Sequence, residues 1–215
     1  GMDALNTLSS VTYEMDQKSG TEFYGRFTEF IRHVQKNDLV CCGAMTDPKG
    51  NRSLAPSQQA DRDLYLRIIE DRSDGIVVRG SKVHQTGAVN SHEVIVMPTR
   101  TMDEKDKDYA VSFAVPSDAE GIIYIYGRQS CDKRKLEGGE IDVGNVKYGG
   151  QEAMIVFDDV FVPWERVFMT GEYEFSLPFV ERFAAYHRQS YGGCKAGVGD
   201  VLIGAAATIA EYNGV

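Results

Sequence analysis

"AMIVFDDVFV", residues Ala153–Val162, is dominated by β-branched and aromatic side chains and carries no helical punctuation. Such a run reads as a strand. Six more of the same character precede it: "LVCCGAM" from Leu39, "LYLRIIE" from Leu64, "GIVVRG" from Gly75, "HEVIVM" from His92, "YAVSFAV" from Tyr109 and "GIIYIY" from Gly121. Turn signals at Asp47-Pro48, Asp74-Gly75 and Gly138-Gly139 punctuate them. Repeated short strands with no helices between them indicate an antiparallel sandwich or barrel.

The period changes on either side. In "TEFYGRFTEFIRHVQK", Thr21–Lys36, the residues Phe23, Phe27, Phe30, Ile31 and Val34 fall on one helical face, which predicts an amphipathic helix with His33 beside the stripe. After Pro163, "YEFSLPFVERFAAYHRQS" and "VGDVLIGAAATIAEYNGV" are each expected to form a helix, the second apolar over much of its surface. An Ala/Ile/Leu-rich helix is marginal alone in water, so Val198–Tyr212 is expected to pack on the β-domain or on another subunit. The expected organisation is a helical segment over 1–37, a β-domain over 38–170 and the start of a helical domain over 171–215.

Charge and composition narrow the partners. With 215 residues, 42% of them apolar, the chain can bury a substantial core. Lys and Arg number 23 against 32 Asp and Glu, a net charge of −9 that opposes attraction to nucleic acid or an anionic membrane. No stretch of the sequence reads as the roughly 20 apolar residues that span a bilayer, and "GMDALNTLSS" lacks the basic and apolar regions of a signal peptide. The expected location is the cytoplasm, with Gly1 read as a cloning remnant before Met2. There, Cys41 and Cys42 are expected to be small core side chains rather than a disulfide. His92, Cys131 and Trp164 are read as structural.

One short segment concentrates chemistry: "HRQSYGGCK", His187–Lys195. Together with "CCGAMTDPKGNRS", "KVHQTGAVNSHEVIVMPTRTM" and "VFDDVFVPWERV", it gives the chain a resemblance, from about Asp38 onward, to the 4-hydroxybutyryl-CoA dehydratases. These sit with the flavin-dependent 4-hydroxyphenylacetate 3-monooxygenases in the acyl-CoA dehydrogenase superfamily. The resemblance implies an α+β chain whose centre is an antiparallel β-barrel like the acyl-CoA dehydrogenase middle domain, with flanking helices. It implies FAD and a [4Fe-4S] cluster in the intact enzyme and an acyl-CoA substrate. The reaction implied is conversion of 4-hydroxybutyryl-CoA to crotonyl-CoA with vinylacetyl-CoA delta-isomerisation.

Residue by residue, the resemblance makes His187 and Cys194 cluster ligands, the remaining two being a cysteine pair upstream of this chain. It puts Tyr191, Lys195 and Glu152 near substrate. Met45, Thr46, Asp47, Asn51, His84, Gln85 and Thr86 would line the flavin, with the Thr86 hydroxyl near the reactive ring nitrogen. Seven residues of straight helix rise about 10.5 Å, and Gly192-Gly193 would let the backbone bend Cys194 toward the cluster.

The residue types suit the chemistry. A thioester acidifies the protons on carbon 2, whereas dehydration must break an unactivated C–H bond at carbon 3, so a one-electron cofactor carries the hard step. A cluster iron with a histidine ligand would polarise the leaving hydroxyl. Taken alone, the 215-residue chain is expected to be an inactive portion with no cofactor or only partial cofactor sites, and to form a homo-oligomer. The alternatives are a flavin-dependent aromatic monooxygenase component and a non-catalytic, self-associating β-domain.

Overall fold

The computed structural model describes residues 1–126 and 152–215. Each of the seven apolar runs falls on a strand: β1 (Cys41–Ala44), β2 (Arg67–Asp71), β3 (Gly75–Thr86), β4 (Glu93–Val96), β5 (Val111–Pro116), β6 (Ile122–Tyr126) and β7 (Glu152–Pro163). An eighth, β8 (Val167–Thr170), follows a single helical turn at Trp164–Arg166. Cys131 and the Gly138-Gly139 turn signal lie outside the described residues.

Among the described residues the strands do not close into a barrel. They form two open four-stranded sheets, ordered β1-β4-β5-β8 and β2-β3-β7-β6. Nor is the pairing antiparallel throughout, because β1 runs parallel to β4, Cys41 opposite Glu93. The hairpin β2–β3 intervenes between them in the other sheet, so the chain crosses over and re-enters in the same direction. Closure would need one continuous ladder with matched tilt and stagger. Short alternating runs are common to barrels and facing sheets, and only the pairing separates the two.

The central strands of the first sheet are buried on both faces: β4 is buried at all of its positions and β5 at all but Pro116. One face meets the second sheet, where Phe113 of β5 packs edge-on against Phe157 of β7 with ring centroids 5.9 Å apart. The other face is covered by α1 (Met2–Ser19) and α2 (Phe23–Lys36). From α2, Phe27 and Phe30 meet Phe168 of β8 at 5.7 and 5.5 Å. Of the predicted α2 stripe, Phe23, Phe27, Phe30 and Val34 are buried and Ile31 is half-buried. In α1, Ala4, Leu8, Val11 and Met15 are buried at the spacing of a helical face, and the buried Thr7 and Thr12 hydroxyls donate to the carbonyls of Asp3 and Leu8.

The C-terminal region forms one helix, α3 (Ser176–Tyr212), and not two. Gly192 and Gly193 sit inside it in open space, where a glycine costs helix stability without breaking the i→i+4 ladder. Its first turns dock through buried Phe179, and an Arg182–Glu14 ion pair ties it to α1. Farther along, Val201, Leu202 and Ile203 are 71, 64 and 70% exposed, so the expected packing of this stretch on the β-domain is not found. As a continuous helix, Tyr173–Tyr212 is long and apolar enough to cross a membrane by length and composition, which the sequence reading had not found.

The second sheet requires one close approach. Gly80 takes φ +132° at an irregularity in the β3–β7 register, and a Cβ there would lie 2.5 Å from Leu66 Cα and 2.5 Å from Tyr65 O. Both obstacles are backbone. Gly80→Ala is therefore expected to destabilise the chain by about 3 kcal/mol, read as a lower urea midpoint at unchanged slope.

Candidate functional site

The C-terminal end of β3 organises the site. Against β7, Lys82 pairs with Ile155 and Gln85 with Ala153, so Val83 and His84 together oppose Met154 alone. This is a β-bulge, the device by which a strand re-aims a side chain. His84 adopts φ +56°, an uncommon and costly conformation for a residue with a Cβ. It lies at the meeting of two chambers.

The larger chamber, about 670 Å³, is lined by Thr46–Lys49, Arg52, Val83, His84, Ile125, Tyr126 and Glu152–Met154. The smaller, about 240 Å³, is lined by Gly43, Met45, Thr46, His84, Gln85, Thr86 and, from the helices, Asp3, Phe183 and His187. Thr46 and His84 are common to both. Of the residues given a flavin role, the structure thus brings Met45, Thr46, Asp47, His84, Gln85 and Thr86 together. Asn51 stands apart: its side chain accepts from Ser53 N and Oγ at 3.1 and 2.7 Å, holding a turn.

Hydrogen bonds fix the shared wall. The Thr46 carbonyl accepts from the Val83 amide at 2.8 Å and from Gln85 Nε2 at 3.0 Å. Thr86 Oγ1 donates to Glu152 Oε1 at 2.7 Å, joining a residue given a cofactor role to one given a catalytic role. Below them, Lys82 Nζ donates to the Met45 and Met97 carbonyls at 3.0 and 2.9 Å. It also makes an ion contact of 2.7 Å with Asp47 Oδ1, off the line of a hydrogen bond, the two side chains being 3% and 2% exposed. Burial pushes the Asp47 carboxyl up and the Lys82 ammonium down, with their mutual attraction opposing both shifts. The Asp47 charge is therefore engaged with Lys82. Sequence reasoning missed Lys82, although a lysine within an apolar β-run already demands a buried counter-charge.

His187 reaches the smaller chamber from α3, stacked between Phe183 at 5.6 Å and Tyr191 at 5.8 Å. Its Nδ1 is 3.2 Å from Asp3 Oδ2, a partner that sequence reasoning also missed. Tyr191 and Lys195 continue along the same face, Lys195 Nζ lying 4.5 Å from the Tyr191 ring centroid, and neither they nor the exposed Cys194 lines a chamber. Among the described residues no three His, Cys, Asp or Glu side chains converge as a metal site. His187 and Cys194 alone do not fit a four-iron cluster, whose irons need more donors. The larger chamber, with Thr46 and His84 beside apolar Val83, Ile125 and Met154, suits a planar ring bearing a polar edge.

The 4-hydroxyphenylacetate 3-hydroxylase N-terminal pattern matches residues 1–169, and the C-terminal pattern of the same family matches residues 177–215. The chain belongs to this family. All 215 residues align at 65% identity with 44% of the 4-hydroxybutyryl-CoA dehydratase/vinylacetyl-CoA-Delta-isomerase of Clostridium aminobutyricum. The 4-hydroxyphenylacetate 3-monooxygenase oxygenase component of Thermus thermophilus is 28% identical over 209 residues, 93% of this chain and 42% of that protein. The chain thus spans less than half the length of these relatives. Among solved structures, an archaeal 4-hydroxybutyryl-CoA dehydratase from N. maritimus superposes on the whole chain with a TM-score of 0.87 at 60% identity, matching 43% of its own chain. A 4-hydroxyphenylacetate 3-monooxygenase oxygenase component complexed with FAD matches 86% of this chain and 36% of its own, with a TM-score of 0.65 at 26% identity. FAD is thus a ligand within the family. The C-terminal match includes α3, so this apolar helix is a family element.

Cys42 borders the site, its thiol 3.6 Å from the Thr86 carbonyl. Burial pushes the thiol from 9.0 up to about 11. Its contribution to stability is complete below pH 9.0 and is lost as pH rises through about 11, because the unfolded chain ionises first. Melting temperatures of wild type and Cys42→Ala across that window are expected to converge as pH rises. In iodoacetamide labelling at about pH 8, mapped by peptide mass, exposed Cys194 is expected to react well before Cys42.

Proposed function

We propose that, in the intact protein, this chain forms the β-domain wall of a 4-hydroxybutyryl-CoA dehydratase that binds FAD. It would convert 4-hydroxybutyryl-CoA to crotonyl-CoA and isomerise vinylacetyl-CoA. The observation that carries this reading is the 65% identity over all 215 residues to a dehydratase/isomerase, against 28% to an aromatic monooxygenase component. Among enzymes that share a fold, function follows the site, and the 65% identity extends over every element that lines the two chambers.

In this reading Thr46, His84, Gln85 and Thr86 hold the flavin edge, and FAD when bound supplies one-electron chemistry. Glu152 is the base. Its Thr86 hydrogen bond of 2.7 Å keeps the carboxylate at the mouth of the larger chamber, where it can take a substrate proton. His187, held by Asp3, faces the smaller chamber and offers a ring nitrogen to the substrate's hydroxyl end. Val83, Ile125 and Met154 supply apolar surface against the flavin ring and limit water. The acidic chain suits a cytoplasmic enzyme of acyl-CoA metabolism, and the exposed apolar stretch of α3 suits burial between subunits.

The test is an anaerobic assay of the intact protein with 4-hydroxybutyryl-CoA, following acyl-CoA products by chromatography. Crotonyl-CoA is expected, and Glu152→Gln should lower kcat by about 100-fold with little change in KM. In a parallel aerobic assay supplied with reduced FAD, hydroxylation of 4-hydroxyphenylacetate, with no crotonyl-CoA formed in the anaerobic one, would replace this reading with the monooxygenase one.

A further inference from the structure

Segment 45–49 is the partition of the site: Met45 and Thr46 line the smaller chamber, and Thr46 through Lys49 the larger. It follows β1, the edge strand of the first sheet, and has left the ladder by Met45. A segment leaving an edge strand has few backbone partners of its own. Gln85 Nε2 and the Val83 amide meet its Thr46 carbonyl and Tyr65 Oη meets its Lys49 carbonyl, while a charged side chain from the other sheet meets Met45 and Asp47. Lys82 of β3 reaches across, donating to Met45 O and Met97 O at 3.0 and 2.9 Å and making an ion contact of 2.7 Å with Asp47 Oδ1. Met97 follows β4, so the same ammonium also grips the neighbouring strand end.

We propose that Lys82 is a positioning residue, a buried three-point clamp from the second sheet that sets where segment 45–49 stands between the two chambers. Its effect on the site is indirect, carried by the Met45 carbonyl and the Asp47 side chain. Two backbone hydrogen bonds report on it directly: Val83 N to Thr46 O at 2.8 Å and Met97 N to Ala44 O at 3.1 Å. Both close only while the 44–47 backbone is held in place. A purely stabilising ion pair would be replaceable by apolar side chains of similar volume, because a buried pair often does no better than such a replacement. Apolar side chains could restore the stability of a clamp but not its positioning of the backbone, since Met and Leu have no donor for the two carbonyls.

The experiment compares wild type, Lys82→Met, the double variant Lys82→Met with Asp47→Leu, and Asp47→Asn, by thermal melting and by amide hydrogen exchange at Val83 and Met97. Lys82→Met leaves a buried carboxylate unpaired and should melt roughly 10 °C lower. The double variant should recover to within about 3 °C of wild type, yet exchange at both amides should stay roughly tenfold or more faster than wild type relative to Val94 and Ala114. Recovery of both melting temperature and slow exchange would overturn the proposal and leave the pair as volume filling. Asp47→Asn keeps the lysine and both carbonyl contacts, so slow exchange should persist there even as the melting temperature falls; fast exchange would equally overturn it. The proposal relies on the flavin reading only for what the partition faces. Titrating FAD into wild type tests that reading separately, and absence of binding would leave the exchange comparison to decide the role of Lys82.

Discussion

A lysine ammonium placed beyond the reach of water must find oxygens for all of its protons, and in this chain that demand is what joins the two sheets at the site. Lys82 is 3% exposed and meets the Met45 and Met97 carbonyls and the Asp47 carboxylate. Those oxygens come from the ends of β1 and β4, the parallel pair, while the lysine comes from β3 of the other sheet. Desolvation makes any partial arrangement expensive, so the strand ends are drawn to one geometry. The Val83 amide and Gln85 side chain then complete the Thr46 carbonyl from the same strand. An open pair of sheets, which apolar contact alone would leave free to slide at its edge, is thereby pinned where the chambers meet.

Much of this was legible in the sequence, and the failures have a common cause. Runs of β-branched and aromatic residues located β1 through β7, because strand propensity and half-burial are local properties. Barrel closure is not local. It depends on which edges pair, and the parallel β1–β4 contact is set by residues some fifty positions apart that carry no mark of each other. The helix α1 left a readable trace in the spacing of Ala4, Leu8, Val11 and Met15, diluted by the polar Thr7 and Thr12, whose hydroxyls are satisfied within the helix. At the other end, Gly192-Gly193 suggested a break, and the surrounding turns of α3 carried the helix through it.

The site divides along the same line. Residues close together in sequence, Met45 to Asp47 and His84 to Thr86, meet at the chambers because one strand end delivers each group. His187 joins them by the docking of α3 on α1, whereas Cys194, Tyr191 and Lys195 lie beyond the last docked turns. Position along a helix is easily read; how far that helix remains in contact is not. The partners that sequence reasoning missed, Lys82 and Asp3, are charged residues whose function is to meet another group. Such pairs span 35 residues in one case and 184 in the other, and single-sequence patterns do not connect them.

His84 shows why the clamp and the bulge belong to one argument. Its left-handed backbone is unfavourable for a side chain with a Cβ, and an isolated strand would relax by flattening the bulge into regular pairing. Flattening would shift Val83 and Gln85 by one position and turn them to the opposite face of β3. Both are committed to Thr46, which lies beside the Met45 and Asp47 contacts of Lys82. The strain at His84 therefore cannot be released without breaking the hydrogen bonds of the partition. Since Thr46 and His84 are the side chains common to both chambers, the bulge, the clamp and the site geometry are three consequences of how one strand end is held.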